Sequence, residues 1–453
     1  MPAPACRRPA PPSAEPMSIA IPFRSRALAA ATALSVVCGA LCAPAALAQG
    51  DKERVLARNK RAAAKPAARG QPAPLRDGQA EQRLMEVYRL TGEGRSREAL
   101  AKAESLARDY PNFQLAQLAL GDLLSARTRP VRQFGDVPAG QGDAPQSPSP
   151  TAAEVLAELR AESRQRSDAL RVRPGARAIP AQFIELSARS RHAIAVDASR
   201  SRLYLFQNTE QGMELIADYY ASVGKLGIEK ALEGDQRTPL GVYFITSRLD
   251  PATLKDFYGA GALPINYPNP LDVSRGKTGS GIWLHGTPPE QFSRAPLSTD
   301  GCLALANPDL ERILRTVEPR STPVVIARQI QWVQPQAVLA ERRQFEAVLD
   351  AWRAAKSQGD VRRLLSFYAA DFQSYGKMAI ADYARSLEAE VRALRGRPLH
   401  LKDRTLLRWT DATDTMVVTF GEVAEGARTG PVKRQYWTRK GQQWQIFFEG
   451  VIG

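Results

Sequence analysis

Between His192 and Ala327 the apolar residues come in short runs separated by turn residues, and this texture restricts what the chain can fold into more than any other feature. Ala193-Ile194-Ala195-Val196-Asp197, Leu203-Tyr204-Leu205-Phe206, Leu215 to Val223, Thr238 to Ile245 and Ile282-Trp283-Leu284 each have strand length and are rich in β-branched and aromatic residues. Few stretches between them repeat at helical spacing. The expectation is a mainly β domain over 191–328.

The full chain has 453 residues, too many for one core, and the texture changes on both sides of the strand-rich stretch. Residues 49–80 are Ala, Lys, Arg, Gln and Pro without apolar periodicity, the pattern of a flexible basic tether. Over 81–127, Leu84, Val87 and Leu90, then Ala99, Leu100, Ala103 and Leu106, fall at helical spacing, with a further helix from Phe113 to Leu124. This helical hairpin resembles one tetratricopeptide unit. A single unit cannot close a solenoid core, so it is expected to dock on a neighbour. Residues 128–150 are a Pro/Gly-rich linker, and 151–190 a helical lead-in. In 329–453, Phe345, Val348, Leu349 and Trp352 start a helical stretch, and four strands follow from Leu399 to Val451. Helices followed by a meander make an α+β domain, and the order resembles the cone of the nuclear-transport-factor-2-like (SnoaL-like) fold. The resemblance implies a docking role, with other cell-wall proteins as its expected partners.

Arg24 and Arg26 precede an apolar run that ends in Ala46-Leu47-Ala48, the layout of a signal peptide over 1–48 cleaved after Ala48, whether translation starts at Met1 or Met17. Export to the periplasm or beyond is expected. Cleavage would remove Cys6, Cys38 and Cys42 and leave Cys302 as the one thiol, which is either buried and inert or present for its chemistry. The formal charge of +15 suggests nucleic acid at first sight, but Arg191 to Arg328 carries 15 Lys/Arg against 15 Asp/Glu. The excess lies in the flanks and no nucleic-acid reading motif accompanies it, so an anionic wall polymer or a membrane surface is the better partner.

His285, one of three histidines, follows Ile282-Trp283-Leu284 and precedes Gly286, and Cys302 comes 17 positions later in Ser298-Thr299-Asp300-Gly301-Cys302. A strand end and a glycine turn can bring the two side chains together. A normal thiol is only a few per cent thiolate at neutral pH, so it needs a neighbouring base, and imidazole can take the proton and return it to a leaving amine. Gly301 lets the backbone approach a carbonyl, which makes the Cys302 amide a candidate oxyanion donor. One Cys and two further His do not make a zinc site, and no metal or organic cofactor is implied. His192 and His400 read as surface or packing residues, and Tyr219-Tyr220 as sheet packing.

His285-Gly286 and the segment Ser298 to Cys302 resemble the signature of the L,D-transpeptidase catalytic domain (YkuD-type). Gly224, Thr238-Pro239-Leu240-Gly241 and Leu263 to Pro268 match as well. The resemblance implies an acyltransferase that acts on peptidoglycan stem peptides, with Cys302 as nucleophile, His285 as general base and acid, and Gly301 in the turn and oxyanion region. Its product would be an acyl-enzyme at the diaminopimelate carbonyl, with D-Ala leaving and an amine acceptor resolving the thioester. Two other readings are a related thiol amidase or carboxypeptidase that releases protein or D-Ala from the stem, and a non-catalytic wall-binding scaffold. Ser298, Thr299, Arg294, Tyr267 and Trp283 are candidate substrate contacts. The chain departs from the family at Asp300 and Ala304, where His or Arg and then Arg are common. Asp300 is expected to point outward or cap the turn, and Arg294, or Arg275 and Lys277, to replace the missing carboxylate partner.

Overall fold

The computed structural model describes residues 78–136 and 151–452. The expected leader, nearly all of the tether and most of the linker lie outside the described residues. Among the described residues no helix is long and apolar enough to cross a membrane.

Helical periodicity produces α1 (Gln79–Gly92), α2 (Ser96–Asp109), α3 (Gln114–Ser125) and α4 (Ala152–Arg171), the last opened by a Thr151/Glu154 capping box. The apolar faces of α1 to α3 meet in one core, and Phe292 and Ala306 from the strand-rich region complete it. The lead-in is helical only as far as Arg171. Pro174, Gly175 and Pro180 interrupt the pattern, and Ile179–Pro180 (β1) and Phe183–Glu185 (β2) are strands.

The strand-rich region contains β3 (His192–Asp197), β4 (Arg202–Thr209), β5 (Gly212–Tyr220), β6 (Val223–Gly224), β7 (Gly241–Phe244), β8 (Ala262–Pro264), β9 (Trp283–His285), β10 (Leu297–Thr299), β11 (Leu303–Ala304), helix α5 (Asn307–Thr316) and β12 (Pro323–Ala327). Five strands form one sheet in the order β5-β4-β3-β12-β7, and β11-β9-β8 and β10-β6 make two smaller sheets. Successive side chains in a strand point to opposite faces. Ile194, Val196, Leu203 and Leu205 enter a core shared with α5 and the small sheet that carries β9. Ala193, Ala195, Tyr204 and Phe206 face the other way, into a second core. Burial on both faces explains why these strands read as continuous apolar runs rather than alternating ones.

That second core is supplied by the C-terminal region. Beyond β13 (Trp332–Val333) lie α6 (Leu339–Gln358), β14 (Tyr368–Ser374), α7 (Ile380–Leu394), β15 (Leu399–Thr410), β16 (Asp414–Ala424), β17 (Val432–Lys440) and β18 (Gln443–Val451). Its sheet runs β14-β18-β17-β16-β15-β2, so a strand from the lead-in closes one edge and β14, parallel to β18, closes the other. Leu406, Met416 and Trp437 face the helices of the cone. Leu407, Val417, Tyr436 and Phe447 face the back of the five-stranded sheet. Across that contact Arg434 places its guanidinium 3.3 Å from the centre of the Phe244 ring, and Arg275 grips Asp411 at 2.5 and 2.7 Å.

Candidate active site

His285 ends β9, which lies between β8 and β11. The register pairs it with Ala262 on one side and Ala304 on the other. These small neighbours leave the imidazole to be covered by aromatic rings, Tyr258 at 5.2 Å and Phe257 at 6.0 Å. β11 runs parallel to β9 with Leu303 beside Leu284 and Ala304 beside His285. Alternation then puts Leu284 and Leu303 in the core, and Cys302, Ala304, Trp283 and His285 on the opposite, common face. Two short strands thus bring thiol and imidazole to the same face although 17 positions separate them in the sequence.

The turn before Cys302 is built from its own side chains. Thr299 Oγ1 donates to the Cys302 carbonyl at 2.7 Å and accepts the Gly301 amide at 3.1 Å. Gly301 has φ +121°, and a Cβ there would lie 2.6 Å from the Arg237 carbonyl oxygen, so only glycine fits. Thr238, fully buried, donates to the Gly301 carbonyl at 3.0 Å and accepts the Gly224 amide at 2.9 Å, which ties the Thr238-Pro239-Leu240-Gly241 and Gly224 matches to the turn. Gly224 admits no side chain either: a Cβ would sit 2.4 Å from the Gln236 carbonyl oxygen.

Electrostatics set the resting protonation of the pair. His285 Nδ1 lies 2.7 Å from the Gly286 carbonyl oxygen. A carbonyl can only accept, so Nδ1 carries the hydrogen and Nε2 keeps the lone pair a base needs. Burial pushes the imidazole down to about 4, against the opposing pull of the Gly286 carbonyl and with help from the charge of Arg294. Burial pushes the Cys302 thiol up; the Trp283 amide opposes this, Asp300 adds to it, and Arg294 and Lys230 oppose it. The resting pair at neutral pH is therefore thiol and neutral imidazole. The sulfur is half-buried, and its nearest hydrogen-bond acceptor is the Gly281 carbonyl at 3.4 Å.

The remaining candidates fall into two groups. Thr299 is consumed by the turn, Ser298 Oγ lies 3.1 Å from Ser222 Oγ, and the Tyr267 hydroxyl donates to the Thr278 carbonyl at 3.1 Å. Arg275 is engaged by Asp411 and Lys277 by Asp272 at 2.8 Å, so neither stands in for the absent arginine. Asp300 points outward to Lys225 and Gln236, both at 3.1 Å. Arg294 differs from all of these. Its guanidinium lies 4.1 Å from the centre of the Phe257 ring, its charge is felt by both His285 and Cys302, and its buried Nε has no hydrogen-bond partner. Trp283 is half-buried, with its ring 4.9 Å from that of Tyr258. Phe257 and Tyr258, which wall the imidazole, were not among the sequence candidates, because a Lys-Asp-Phe-Tyr-Gly loop carries no periodicity that marks it.

Residues 191–326 match the L,D-transpeptidase catalytic domain (YkuD), and residues 344–450 match the Cds6 C-terminal NTF2-like domain. Among solved structures, Bd1075 from Bdellovibrio bacteriovorus is 25% identical over 60% of this chain and 98% of its own, with a TM-score of 0.51. The helical cell shape determining protein Pgp2 from Campylobacter jejuni is 22% identical over 59% of this chain and 95% of its own, with a TM-score of 0.47. No curated protein matches the chain. The strand-rich region that carries Cys302 and His285 is an L,D-transpeptidase catalytic domain, and the cone behind it is an NTF2-like domain.

Proposed function

We propose that this protein is an exported thiol acyltransferase acting on peptidoglycan, in which Cys302 attacks the carbonyl between diaminopimelate and the terminal D-Ala of a tetrapeptide stem. The observation that carries the reading is the placement of Cys302, immediately before β11, and His285, at the end of β9, on one face of two adjacent parallel strands, together with Arg294, whose buried Nε has no hydrogen-bond partner. His285 Nε2 takes the thiol proton as sulfur bonds to carbon, and the Cys302 amide receives the developing oxyanion. The same proton then passes to the D-Ala nitrogen as the amide C–N bond breaks, leaving a thioester. An acceptor amine gives its proton to His285, bonds to the acyl carbon and releases the thiol. Arg294 supplies the carboxylate contact that the family draws from the position occupied here by Ala304.

The test is muropeptide analysis of purified sacculi after incubation with the protein, together with intact-mass detection of an adduct on Cys302 from a carbapenem. New cross-linked dimers or amino-acid exchange products are expected. Stems shortened by one residue with no dimers would make water the acceptor, and the protein a carboxypeptidase. No product and no adduct would overturn the acyl-transfer reading and leave a scaffold.

A further inference from the structure

Arg294 stands in the loop from Gly286 to Pro296, and the backbone on its N-terminal side is held from outside the catalytic domain. Phe292 stacks on Phe113 with ring centres 4.0 Å apart and meets Tyr110 edge-on at 5.6 Å. Its amide donates to the Asn112 carbonyl at 3.2 Å, and Asn112 Nδ2 donates to the Pro289 carbonyl at 2.9 Å. Ser293 Oγ donates to Glu162 Oε1 of α4 at 2.6 Å. The Arg294 carbonyl accepts the Tyr220 hydroxyl at 2.8 Å, and the Tyr220 ring is covered by the Arg166 guanidinium of α4 at 4.0 Å. Three consecutive residues are thus fixed by the α2–α3 turn, by α4, and by a tyrosine that α4 covers.

The helices that do this are themselves anchored. Arg166 pairs with Glu162 at 2.6 Å and with Glu81 of α1 at 2.8 Å, and Glu81 reaches Arg202 of β4 at 2.9 Å, all four buried. A buried pair of this kind contributes little net stability, but it fixes geometry because displacing either partner strands a charge. The helical segment is therefore locked to the sheet at one end and to the active-site loop at the other.

We propose that the N-terminal helical segment is a positioning element of the active site: through Phe113 on Phe292 and Glu162 on Ser293 it sets the loop so that the Arg294 guanidinium faces the thiol and selects substrates with a carboxylate next to the reacting carbon. The proposal rests on the reading of Arg294 as a carboxylate partner. Placement matters here, since a displacement of about 1 Å in a positioning group can cost on the order of 10²-fold in rate.

The experiment needs no wall substrate. Alkylation of Cys302 in the full chain is followed by peptide mass mapping with two probes of equal shape, iodoacetate and iodoacetamide, at low ionic strength. The ratio of their rates reads the field of Arg294 at the sulfur, and because unfolding would expose the thiol and raise both rates, the absolute iodoacetamide rate separates unfolding from loss of that field. Arg294→Ala should lower the iodoacetate/iodoacetamide ratio roughly three- to tenfold, the scale of one nearby screened charge. Phe113→Ala should lower it by a similar factor without raising the iodoacetamide rate, as unfolding would. Ser293→Ala combined with Asn112→Ala, a milder change that keeps the helical core, should do so in part. Neither should alter the ratio further in an Arg294→Ala background. If Arg294→Ala lowers the ratio and the helical variants do not, the positioning role is wrong and the carboxylate reading stands. If Arg294→Ala leaves the ratio unchanged, both are wrong.

Discussion

Two clusters of charged and polar groups, one around Cys302 and one inside the NTF2-like cone, are built on opposite plans. In the cone, Lys356 Nζ reaches Glu390 at 2.6 Å and Glu422 at 2.8 Å, and Lys433 Nζ reaches Glu390 at 2.7 Å and Glu449 at 3.2 Å. Glu449 also accepts the hydroxyls of Tyr368 at 3.0 Å and Tyr383 at 2.7 Å and the amide of Gln435 at 2.7 Å. Every member answers another. Around Cys302 the polar groups converge without answering each other: Nε2 of His285 keeps its lone pair and Nε of Arg294 has no partner. A cluster that satisfies itself is architecture, and one that leaves groups unsatisfied on a shared face is prepared for something to arrive.

The largest expected effect separates the two at once. Cys302→Ala should abolish acyl-enzyme formation and turnover while the melting temperature stays close to that of the parent, since a small half-buried thiol contributes little packing; thermal unfolding and intact mass, measured side by side, check this. His285→Ala should cost about 10² to 10⁴ in kcat/KM, the span of a general base, whereas a merely structural histidine would lower melting and leave the rate per folded molecule alone. Lys433→Met should do the reverse of the thiol variant. It leaves Lys356 as the one lysine against Glu390, Glu422 and the buried Glu449 and should cost about 3–5 kcal/mol in denaturant unfolding, with turnover of the remaining folded protein unchanged.

The smallest effect is in pH. Burial lowers the His285 imidazole from 6.5 to about 4, so the unfolded chain binds the extra proton first, and stability present above about 6.5 falls as the pH drops toward 4. For Glu449, burial alone would raise the carboxyl, but Lys433 and Lys356 outweigh it and hold the group at about 2 against an ordinary 4.5. Its contribution is therefore complete above about 4.5 and is lost as the pH falls toward 2. Denaturant midpoints along a pH series should decline in these two windows, and His285→Asn should remove the first alone. For the same reason kcat/KM should keep its base-side competence down to about pH 4 instead of failing near 6.5.

The contrast also explains what could be read from the residues. His285-Gly286 and Thr299 to Cys302 were legible because the chemistry is packed into a few adjacent positions, and β3 and β4 because strands buried on both faces are continuously apolar. The four C-terminal strands were legible for their length. The strands β8, β10 and β11, of two or three residues, are too short for any periodicity, and β14 lies between two helices with Asp371 and Gln373 in its run. Lys433, Arg434 and Gln435 are three polar residues in a row in β17, yet Lys433 enters the ion cluster and Arg434 lies on Phe244. Burial of such residues depends on partners far away in sequence. Phe292, after Pro288-Pro289-Glu290-Gln291, looked like loop for the same reason: the Phe113 ring it stacks on belongs to another segment.

The covering of the five-stranded sheet by the cone has a consequence for synthesis. The Ser187 amide bonds Thr405 Oγ1 across 218 positions, and Phe183 pairs with Leu407. Such non-local pairings are slow to form, because the intervening chain must be gathered before they return any energy. When the ribosome has made everything through Ala327, the chain holds Cys302, His285 and Arg294 but only half of that sheet's surroundings: Tyr204, Phe206, Val242 and Phe244 still lack Leu407, Val417, Tyr436 and Phe447. Until those strands are made, the nascent chain presents an apolar sheet face that invites aggregation and the attention of chaperones. The sheet behind the thiol's domain is thereby covered only by residues more than a hundred positions downstream of Cys302.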